Sequence, residues 1–599
     1  MAKAKPAAKS SDPSTVTITY DLFDLPTAQH KAGLAGLLLQ IDSMKNRGKG
    51  GPVYFWDTDQ PQSMVHVTFS EESITELFDD LYAATIVPGA PREKPFTVGK
   101  GAQKRERDPL KRAPMVITDK KGNERSVDGY VYPELTPALA TLRHYLPQEG
   151  EWVKLWRDLI WQIVREGKKK APYIKRASAQ DGLALADGIE STEADPEEAG
   201  EDNSRGDGST WSDLIKHTAE IAAGGFGLGK LSGALLLGAM EKNAESVVLV
   251  GRIDQNLLLH FWPITVLVFV PRFIDSDGET HIGRRNKKDK SQHFCVAIPE
   301  VSHLQQFLAD YPAMLLSLDT QVAGFRPRGC LVDLPAECAF SFVRQLAVLA
   351  PQRATASAIS CAISSVDYLH INKDGNNIKF LSTGRVAPDK HLAEKYSAIV
   401  GLPGEKPPFG SPLFRQGLMR ALLDDLPWYE PFGKMFAEWP HRLFVSTEDP
   451  PKSSWFWIDS KAKLARLDKE YADTMKTDSN DVPADDRLAL LIHRLARTYL
   501  AERAKQKSGI DPEKHKEGEK IAWDKVPKAF SDERRSVGES LFLEFRSRRD
   551  QAFVNHFAQT FFAVKQYVNE EQYAEISAAL ASRWEDVKTL TLMALSANS

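Results

Sequence analysis

The chain of 599 residues is long enough for three or four domains, and its 42% apolar and 26% charged residues are typical of a globular protein with large cores. Its cysteines (Cys295, Cys330, Cys338 and Cys361) include no CxxC pair, so we expect reduced thiols rather than a zinc ribbon or a disulfide framework. We find neither a secretory signal nor a membrane-spanning segment, and expect a cytoplasmic protein with no membrane role.

Charge is unevenly distributed along the chain. The whole sequence carries −4, but residues 180–208 hold ten acidic residues and one arginine, a net −9 that leaves +5 for the rest. Local clusters of charge determine the electrostatic field around a binding surface, so the negative net charge of the whole chain does not exclude a nucleic-acid partner. The acidic, low-complexity stretch is typical of a solvated linker or mobile loop, because it cannot bury enough apolar surface to offset its ordering entropy.

The N-terminal elements alternate in type. Their order is β-α-β-β-α, with strands at 16–20, 53–56 and 64–69 and helices that begin after the capping residues Thr27 and Ser70. Gly33 and Gly36 weaken the first helix intrinsically, so we expect them to permit close packing. This order predicts an α+β sheet domain.

The middle of the chain begins with a basic loop, 91–112, which contains eight Lys or Arg and three acidic residues. Trp152 and Trp156 then begin a helix face that we expect to be core. After the acidic stretch, a second mixed region runs from Trp211 to about residue 458, with strands expected at 257–270 and 294–298.

From about Asp485 the pattern changes to long helices. The first buries Leu488, Leu491, Ile492, Leu495 and Tyr499, the second Phe542, Phe545, Phe553, Phe557 and Phe561, and the third covers 573–595. We therefore predict a multidomain α+β fold. Its parts are an N-terminal α+β domain (1–179), an acidic linker or mobile loop (180–210), a central mixed α/β region (211–474) and an all-α C-terminal bundle (475–599).

Catalytic motifs are weak in this sequence. Residues 224–230 match the GxxxxGK pattern of a phosphate-binding loop, but Leu231 follows where Ser or Thr should reach the magnesium ion. The preceding segment also looks helical, whereas such a loop follows a strand. We interpret 224–230 as a flexible glycine connection, and we expect no enzyme activity, since HExxH and His-Asp motifs are missing too.

Basic segments are more informative, because several of them indicate an extended anionic partner. Asparagine accompanies flexible basic turns at Lys45, Asn46, Arg47 and Lys49, and again at Asn376 and Asn377. Candidate phosphate contacts in the loops are Lys104, Arg105, Arg107, Arg284, Arg285, Lys287, Lys288 and Lys373. Candidates on the C-terminal helices are Arg494, Arg497, Arg546 and Arg549.

Three segments carry a resemblance to a known family. Residues 24–37 (DLPTAQHKAGLAGL) resemble the opening of the large subunits of type I-B-like CRISPR surveillance complexes (Cascade). Residues 234–240 (ALLLGAM) with 243–245 (NAE), and 259–263 (LHFWP), resemble a central stretch of the same family.

The resemblance implies a role in a complex assembled on a guide RNA (crRNA) with other Cascade subunits. Such a subunit recognises the protospacer-adjacent motif (PAM) in duplex DNA, helps to open the duplex, stabilises the R-loop by holding the displaced single strand, and docks a separate helicase–nuclease. Some family members bind zinc through cysteines, but this chain lacks that spacing, so we expect no metal and no cofactor. On this interpretation the asparagine-containing turns read the PAM and the other basic residues contact phosphates.

Two other functions remain open at this point. One is a free-standing RNA-binding protein, because β-α-β-β-α is the order of RNA-recognition folds, although the aromatic-rich RNP1 pattern is missing. The other is a nuclease or a P-loop ATPase.

The resemblance also bears on Met475, just before the first predicted bundle helix. Type I-B-like systems make small subunits from within the large-subunit gene, and a start at Met475 would yield 125 residues with the whole predicted bundle.

Overall fold

The computed structural model describes residues 14–598 apart from 90, 96, 99–104, 107–108, 119–123, 147–150, 161–209, 232–234, 238–248, 324–325, 350–361, 375–376, 403–404, 406, 447–454, 477–482, 518–519 and 568. The acidic stretch therefore lies outside the described residues. Within the described part of the chain, no helix has the length and apolar composition needed to cross a membrane.

The first unit has the predicted β-α-β-β-α order. Its elements are β1 (Val16–Asp21), α1 (Ala28–Asn46), β2 (Val53–Trp56), β3 (Met64–Phe69) and α2 (Glu71–Leu81). The three strands form an antiparallel sheet in the order β1–β3–β2. Thr27 and Ser70 cap the two helices, since each side chain accepts a hydrogen bond from the third residue after it, as their sequence positions predict.

Helix α1 is buried along most of its length. A Cβ atom at Gly33 would collide with the carbonyl oxygen of Leu258, and one at Gly36 with the carbonyl oxygen of Phe261. The expectation that these glycines permit close packing is therefore confirmed. The Thr265 hydroxyl also donates to the carbonyl of Ala32 (3.0 Å), which ties α1 to a segment more than two hundred residues later.

Short strand pairs and helices follow. The strands are β4 (Ala84–Pro88), β5 (Thr97–Val98), β6 (Arg105–Glu106), β7 (Lys111–Thr118), β8 (Glu124–Val131) and β9 (Pro133–Pro137). They pair as β4–β9, β5–β6 and β7–β8, all antiparallel. The helices are α3 (Ala140–Tyr145), α4 (Glu151–Leu155), a π-helix (Trp156–Ile160) and α5 (Thr210–Ala222). Trp152 and Trp156 are buried, as their spacing predicts.

The central part is built around a six-stranded sheet. Its strands are β12 (Leu267–Ile274), β13 (Thr280–Ile282), β14 (Gln292–Val301), β17 (Leu331–Val332), β18 (Ile363–Asp374) and β19 (Asn377–Val386). The order is β13–β12–β14–β18–β19, and β17 runs parallel to β12. Short strands β10 (Leu228–Lys230) and β11 (Val250–Arg252) pair together, as do β15 (Val322–Ala323) and β16 (Arg326–Pro327).

Helices of the central part cover this sheet. They are α6 (Ile253–Leu258), a 3₁₀ helix (Trp262–Ile264), α7 (Leu304–Leu316), a 3₁₀ helix (Arg328–Cys330), α8 (Glu337–Leu349) and α9 (Lys390–Val400). The expected strand at 257–270 is wrong for its first ten residues, which form the end of α6 and the 3₁₀ helix. Both kinds of element are buried here, so the largely apolar sequence of this segment could not distinguish them.

From Pro412 onward the described elements are helices, apart from the two-residue strands β20 (Lys516–Glu517) and β21 (Lys520–Ile521). Helices alone were predicted from residue 475, and the structure has them earlier, within the region predicted to be mixed. The helices are α10 (Pro412–Leu423), α11 (Glu430–Glu438), α12 (Phe456–Lys476), α13 (Ala484–Ser508), α14 (Lys528–Ser547), α15 (Asp550–Phe561), α16 (Glu570–Ser582) and α17 (Trp584–Asn598). Short 3₁₀ helices cover His441–Leu443, Pro512–His515 and Phe562–Tyr567.

The second and third predicted bundle helices are each two helices. The first break lies at Arg548, at the end of α14. There the Lys588 ammonium donates hydrogen bonds to the carbonyl oxygens of Arg546 (3.1 Å) and Arg548 (2.5 Å). The second lies at Arg583, whose guanidinium binds Asp485 on α13 (2.6 Å). Each pair of helices buries its apolar residues in the same core, so the sequence periodicity continues across the breaks.

A buried ion-pair network joins the central sheet to the helices that follow it. Asp333 forms an ion pair with Arg272 on β12 (2.8 Å) and accepts a hydrogen bond from Arg415 on α10 (2.6 Å). Glu337 on α8 accepts from the backbone N–H of Asp333 (2.5 Å). Asp459 on α12 accepts from two backbone N–H groups in the turn before α10, at 3.0 and 2.6 Å. Polar contacts therefore fix the relative position of these elements.

Candidate nucleic-acid interface

The turn between β13 and β14, residues 283–291, is called the basic turn below. It begins at Gly283, whose φ of +67° favours glycine and whose backbone N–H donates to the carbonyl of Pro271 (2.9 Å). The side chains that follow it are exposed: Arg284, Arg285, Asn286, Lys287 and Lys288. The predicted phosphate contacts of this segment therefore project from one short, well-defined turn.

Hydrogen bonds from side chains fix the shape of the basic turn. Asp289 accepts from the backbone N–H of Arg285 (3.0 Å) and from the N–H and hydroxyl of Ser291 (2.9 and 2.6 Å). These bonds, the hydroxyl bond foremost, lower the pKa of Asp289 to about 2. Asn286 accepts from the N–H groups of Lys288 and Asp289 (2.9 and 3.0 Å). The turn is therefore pre-organised, which lowers the entropy cost of binding a ligand.

Ion pairing distinguishes the cations of the basic turn. The Lys287 ammonium pairs with Glu279 on the hairpin before the turn (2.6 Å). Arg284, Arg285 and Lys288 form no ion pair with any residue that the structure describes. Three adjacent cations without carboxylate partners create a positive local field, which is the arrangement that attracts a phosphate backbone.

Two histidines lie beneath the basic turn. His293 Nδ1 and His370 Nε2 are 3.2 Å apart, and Phe273 packs against both rings. Burial lowers the pKa of His370 to about 4, and the positive charges of His293 and Arg285 add to the effect. Burial also lowers the pKa of His293. Both rings are therefore neutral at neutral pH and support the turn as part of the core.

The hairpin of β18 and β19 lies next to the basic turn. Lys373 is paired in register with Gln292, and Asn372 donates to Ser291 at the end of the basic turn (2.8 Å). Asn376 lies outside the described residues, and of Asn377 only the backbone position at the start of β19 is described. The basic turn and Lys373 thus lie at the same end of the central sheet.

The loop after α1, residues 45–51, is arranged differently. Arg47 donates two hydrogen bonds to Asp80 (2.7 and 2.5 Å), and Lys49 donates a third (2.6 Å). Burial alone would raise the pKa of Asp80, but these bonds outweigh it and hold the pKa below its usual range. Arg47 and Lys49 therefore neutralise a buried carboxylate, while Lys45 and Asn46 stay exposed and form no ion pair among the described residues.

The long basic loop of the N-terminal region is only partly described. Lys104 and Arg107 lie outside the described residues, and Arg105 is placed by its backbone alone, in β6 opposite Val98. The strands of the neighbouring β7–β8 pair carry exposed Lys111 and Arg112, and the Arg112 guanidinium lies over the Tyr130 ring, 3.9 Å from its centre.

The four C-terminal arginines do not form one cluster of free charges. Arg494 pairs with Asp468 (2.7 Å), and Arg546 donates to the carbonyl of Ala437 (3.0 Å). Arg497 on α13 and Arg549 before α15 are exposed and form no ion pair within the described ranges. Two of the four arginines predicted to contact phosphates are therefore already bound to other groups of the protein.

Residues 224–230, which we name the glycine loop, connect α5 to β10. A phosphate-binding loop runs from a strand to a helix, so this order is the reverse of that motif, and the segment is a connection, as expected; its flexibility stays a prediction. His217 anchors the loop through the carbonyl of Gly227 (3.1 Å), and Phe226, flanked by Gly225 and Gly227, is 78% exposed. Sequence reasoning missed Phe226, although a phenylalanine between glycines could have indicated it.

One group of described side chains could approach a metal ion. Ligand atoms of Asp275, Glu279 and His281 lie within 4.8 Å of one another. Other contacts already use these groups, since the His281 ring bonds to Asp275 (2.7 Å) and Lys287 pairs with Glu279 (2.6 Å). The group therefore carries no metal assignment. The three described cysteines are free and buried, and burial raises the pKa of each thiol.

Two protein-family models match most of the chain. The family model of the type I-B CRISPR Cas8b N-terminal domain matches residues 58–189 and 192–355, and that of the Cas8b C-terminal domain matches residues 363–598. The chain belongs to the type I-B CRISPR Cas8b family. It is a large subunit of a CRISPR Cascade complex, as the resemblance of its opening segment implied. A search of curated proteins found no match.

Proposed function

We propose that this large subunit recognises the PAM in duplex DNA, helps to open the duplex and holds the displaced strand, while a separate helicase–nuclease that it docks cuts the DNA. The observation that supports the proposal best is the basic turn, in which Arg284, Arg285 and Lys288 have no carboxylate partner among the described residues. Hydrogen bonds hold the backbone of this turn, so the three cations project from a fixed position, which suits contact with a regular phosphate backbone.

The guide RNA and the protein recognise different parts of the target, so few protein residues are needed to read bases. The guide RNA discriminates the target by base pairing, so the protein needs to read only a short motif and the shape of the duplex. Lys45 and Asn46 are exposed at the end of α1 and can reach base edges, whereas Arg47 and Lys49 are held by Asp80. We therefore place PAM reading at Lys45 and Asn46, or else at Asn376 and Asn377.

Duplex opening needs a group that separates stacked bases. Proteins that kink or unstack DNA often insert an apolar side chain between base steps. Phe226 has the required shape and exposure, and its glycine loop is held at its base by the bond from His217. Lys230, at the end of the same loop, is exposed and can contact a neighbouring phosphate. We propose Phe226 as this wedge.

The remaining parts of the proposal concern the displaced strand and cutting. Exposed Arg497 and Arg549 are suited to a single-stranded backbone along the C-terminal helices. We propose that the chain itself is not catalytic and that the complex acts in the cytoplasm, where foreign DNA is met.

Binding of PAM-bearing duplexes by the reconstituted complex tests the proposal. Alanine variants at Lys45 with Asn46, and at Asn376 with Asn377, are compared on duplexes that differ at single PAM positions. A base-reading residue should cost about 1–3 kcal/mol when replaced and relax discrimination at one position. If both double variants keep full discrimination, both candidate loops are eliminated.

A second measurement tests the wedge and the absence of catalysis. Phe226→Ala should slow R-loop formation on paired DNA but not on DNA with a mismatched bubble beside the PAM, because the bubble is already open. Leu228→Ala, on the same exposed hairpin, is the matched control. Equal slowing on both substrates would contradict a wedge.

The absence of catalysis is tested on the isolated chain. If the chain shows nuclease or ATPase activity, and Lys230→Ala abolishes that activity, the proposal of a non-catalytic subunit is wrong.

A further inference from the structure

Strand β19 lies at one edge of the central sheet. Among the described residues it pairs with β18 and with no other strand. It is ten residues long, whereas β13 at the opposite edge has three residues. Backbone N–H and C=O groups in a strand point alternately to its two sides, so about half of those in β19 point away from β18. The long edge is therefore a row of hydrogen-bonding groups without a partner strand.

The described structure leaves the outer side of β19 uncovered. No described hydrogen bond joins the backbone of β19 to an element other than β18. Residues 379–383 and Arg385 are exposed. Among them Phe380 is 42% exposed and Leu381 is 40% exposed, although both side chains are apolar. A strand in this state is able to pair with a further strand from another polypeptide.

The second half of β19 is regular and is held firmly in the sheet. Residues 382–386 pair with β18 without interruption. The Tyr368 ring on β18 lies against Gly384, where a Cβ atom would approach the Tyr368 hydroxyl oxygen to 2.6 Å. The Arg385 guanidinium donates to the Asp367 carboxylate on β18 (2.7 Å). An added strand would therefore meet hydrogen-bonding groups in fixed positions, which lowers the entropy cost of its binding.

We propose that another subunit of the Cascade complex adds an extended segment to β19 and continues the central sheet. The edge offers donors and acceptors in alternation, and an extended polypeptide offers the same set in return. A nucleic-acid backbone does not, because its phosphate oxygens only accept hydrogen bonds. The family places this chain in a complex with other subunits, so protein partners are present in the assembly. The inference rests on this membership and not on PAM recognition.

Charge indicates the sequence of the added segment. Strand β19 contains Lys379 and Arg385 and no acidic residue. Arg385 is already paired with Asp367 (2.7 Å) and Glu300 (3.0 Å). Lys379 forms no ion pair with any residue that the structure describes. Because opposite charges stabilise directly opposed residues of adjacent strands, the segment should place an Asp or Glu opposite Lys379 and apolar side chains beside Phe380.

Hydrogen–deuterium exchange measured by mass spectrometry tests whether the edge is occupied. In the isolated full-length chain, the amides of β19 that point away from β18 should exchange quickly, because no hydrogen bond protects them. In the purified complex, about half of the amides of residues 377–386 should be protected. Equal exchange in both samples would overturn the proposal. Protection in the isolated chain would also overturn it, since a segment of the same chain, or a second copy where protection rises with concentration, would then cover the edge.

Lysines introduced on the edge test the pairing itself. The double variant Phe380→Lys with Ser382→Lys should fold, since both side chains are exposed, but its affinity-purified complex should lose one subunit, because charges on an edge oppose strand addition. Leu316→Lys is the matched control: Leu316 is 67% exposed at the end of helix α7, outside any strand, so the complex should stay complete. Thermal unfolding of each isolated variant checks its fold. If the double variant is unstable, Lys379→Glu replaces it and should release the same subunit. A complete complex from a folded edge variant would show that the proposal is wrong.

Carbodiimide crosslinking of the complex identifies the partner. This reagent joins an ammonium group directly to a neighbouring carboxylate, so Lys379 should be linked to an Asp or Glu of the subunit that the double variant releases. Lys379→Arg keeps the charge but cannot form the amide, and it should abolish the crosslink while the complex stays complete. A crosslink from Lys379 to this same chain would contradict an added strand from another subunit.

Discussion

The basic side chains of this chain fall into two groups according to whether a carboxylate already holds them. Asp80 holds Arg47 and Lys49, and Glu279 holds Lys287. The first group already has a partner within the fold, and the second remains available to a ligand. Because exposed ion pairs contribute little to stability, the loss of Lys287 and the loss of its unpaired neighbours should have similarly small effects on folding.

A triple alanine variant of the unpaired cations Arg284, Arg285 and Lys288 should weaken DNA binding for all sequences alike. The slope of log K against log salt should fall by about 0.9 for each lost phosphate contact. Filter binding of a PAM duplex and of a scrambled duplex at several salt concentrations measures both effects. Lys287→Ala, which removes a paired cation from the same turn, is the control and should change the slope less. An unchanged slope in the triple variant would exclude phosphate contact by the basic turn.

The buried pair His293 and His370 should make the chain sensitive to acid. The pKa of His370 is lowered to about 4 in the folded state, so its contribution to stability is complete above pH 6.5 and is lost as the pH falls toward 4. His370→Gln cannot titrate, and should reduce the loss of unfolding free energy over this window by up to about 3 kcal/mol. Chemical denaturation at pH 7 and pH 4.5 measures the difference, and the exposed His391→Gln is the control. Parallel pH profiles of wild type and His370→Gln would contradict the prediction.

Sequence patterns located the basic segments but could not divide them into paired and unpaired cations. Asp80 lies 33 residues after Arg47, and its role depends on the packing of α2 against α1. In the same way, Asp468 holds Arg494 from 26 residues earlier, across two antiparallel helices. The spacing of charged residues within one helix predicts ion pairs only between side chains three or four residues apart. These long-range ion pairs therefore left no recognisable pattern in the sequence.

At the scale of the elements, the end of helix α12 bears on the small subunit that an internal start would produce. Met475 is the penultimate residue of α12, and the described helix α13 follows it at Ala484. A chain beginning at Met475 would lack Phe436 and Phe444, whose rings lie 5.6 and 6.2 Å from that of the buried Phe542. We therefore expect residues 475–599 to be stable only where another chain covers this exposed apolar surface.

Mass spectrometry of the purified complex should detect this species of 125 residues beside the full-length chain. Met475→Leu should remove it and weaken DNA binding by the complex. If only full-length chain is present, and Met475→Leu changes neither composition nor binding, the internal start is wrong.

The elements that the sequence predicted best are those marked by a local pattern, either alternation or a capping residue. Alternation in β1 and the capping residues before α1 and α2 gave their positions correctly, since each pattern follows from local geometry. Segments without such a pattern were harder: residues 257–270 are apolar except for His260 and Thr265, and their division into helix and strand depends on neighbours far along the chain. The breaks at Arg548 and Arg583 likewise depend on Lys588 and Asp485, which are distant in sequence.

At the scale of the whole molecule, the two Cas8b domain models divide the chain within one sheet. Strand β14 belongs to the N-terminal model and β18 to the C-terminal model, yet they pair from Gln292–Lys373 to Val301–Ile363. The ion pair between Asp333 and Arg415 crosses the same division (2.6 Å). The two sequence domains are therefore not independent structural units. Composition and periodicity could not indicate this, because strand pairing between distant segments leaves no local pattern.

Residues 1–355 and 356–599, expressed separately, should each aggregate. The first would expose β14 as a long unpaired edge with buried residues such as Cys295, and the second would expose the β18–β19 hairpin. Expressed together, the two fragments should co-purify, which size-exclusion chromatography can measure. Asp333→Ala should weaken their association, because it leaves Arg272 and Arg415 buried without a counter-charge. A soluble monomeric 1–355 fragment would contradict the prediction.

Helix α1 has a consequence for synthesis on the ribosome. It leaves the exit tunnel early, but the segment that its glycines accommodate, around Leu258, Phe261 and Thr265, is made more than two hundred residues later. At about 5–20 residues per second, the delay is on the order of 10–50 s. During that interval the face of α1 that carries Gly33 and Gly36 has no native partner, although the contacts of α1 with β2 and α3 can already form. The nascent chain must therefore remain incompletely folded in a state that chaperones can bind. Folding of this region is completed only after the first part of the central region has emerged from the ribosome.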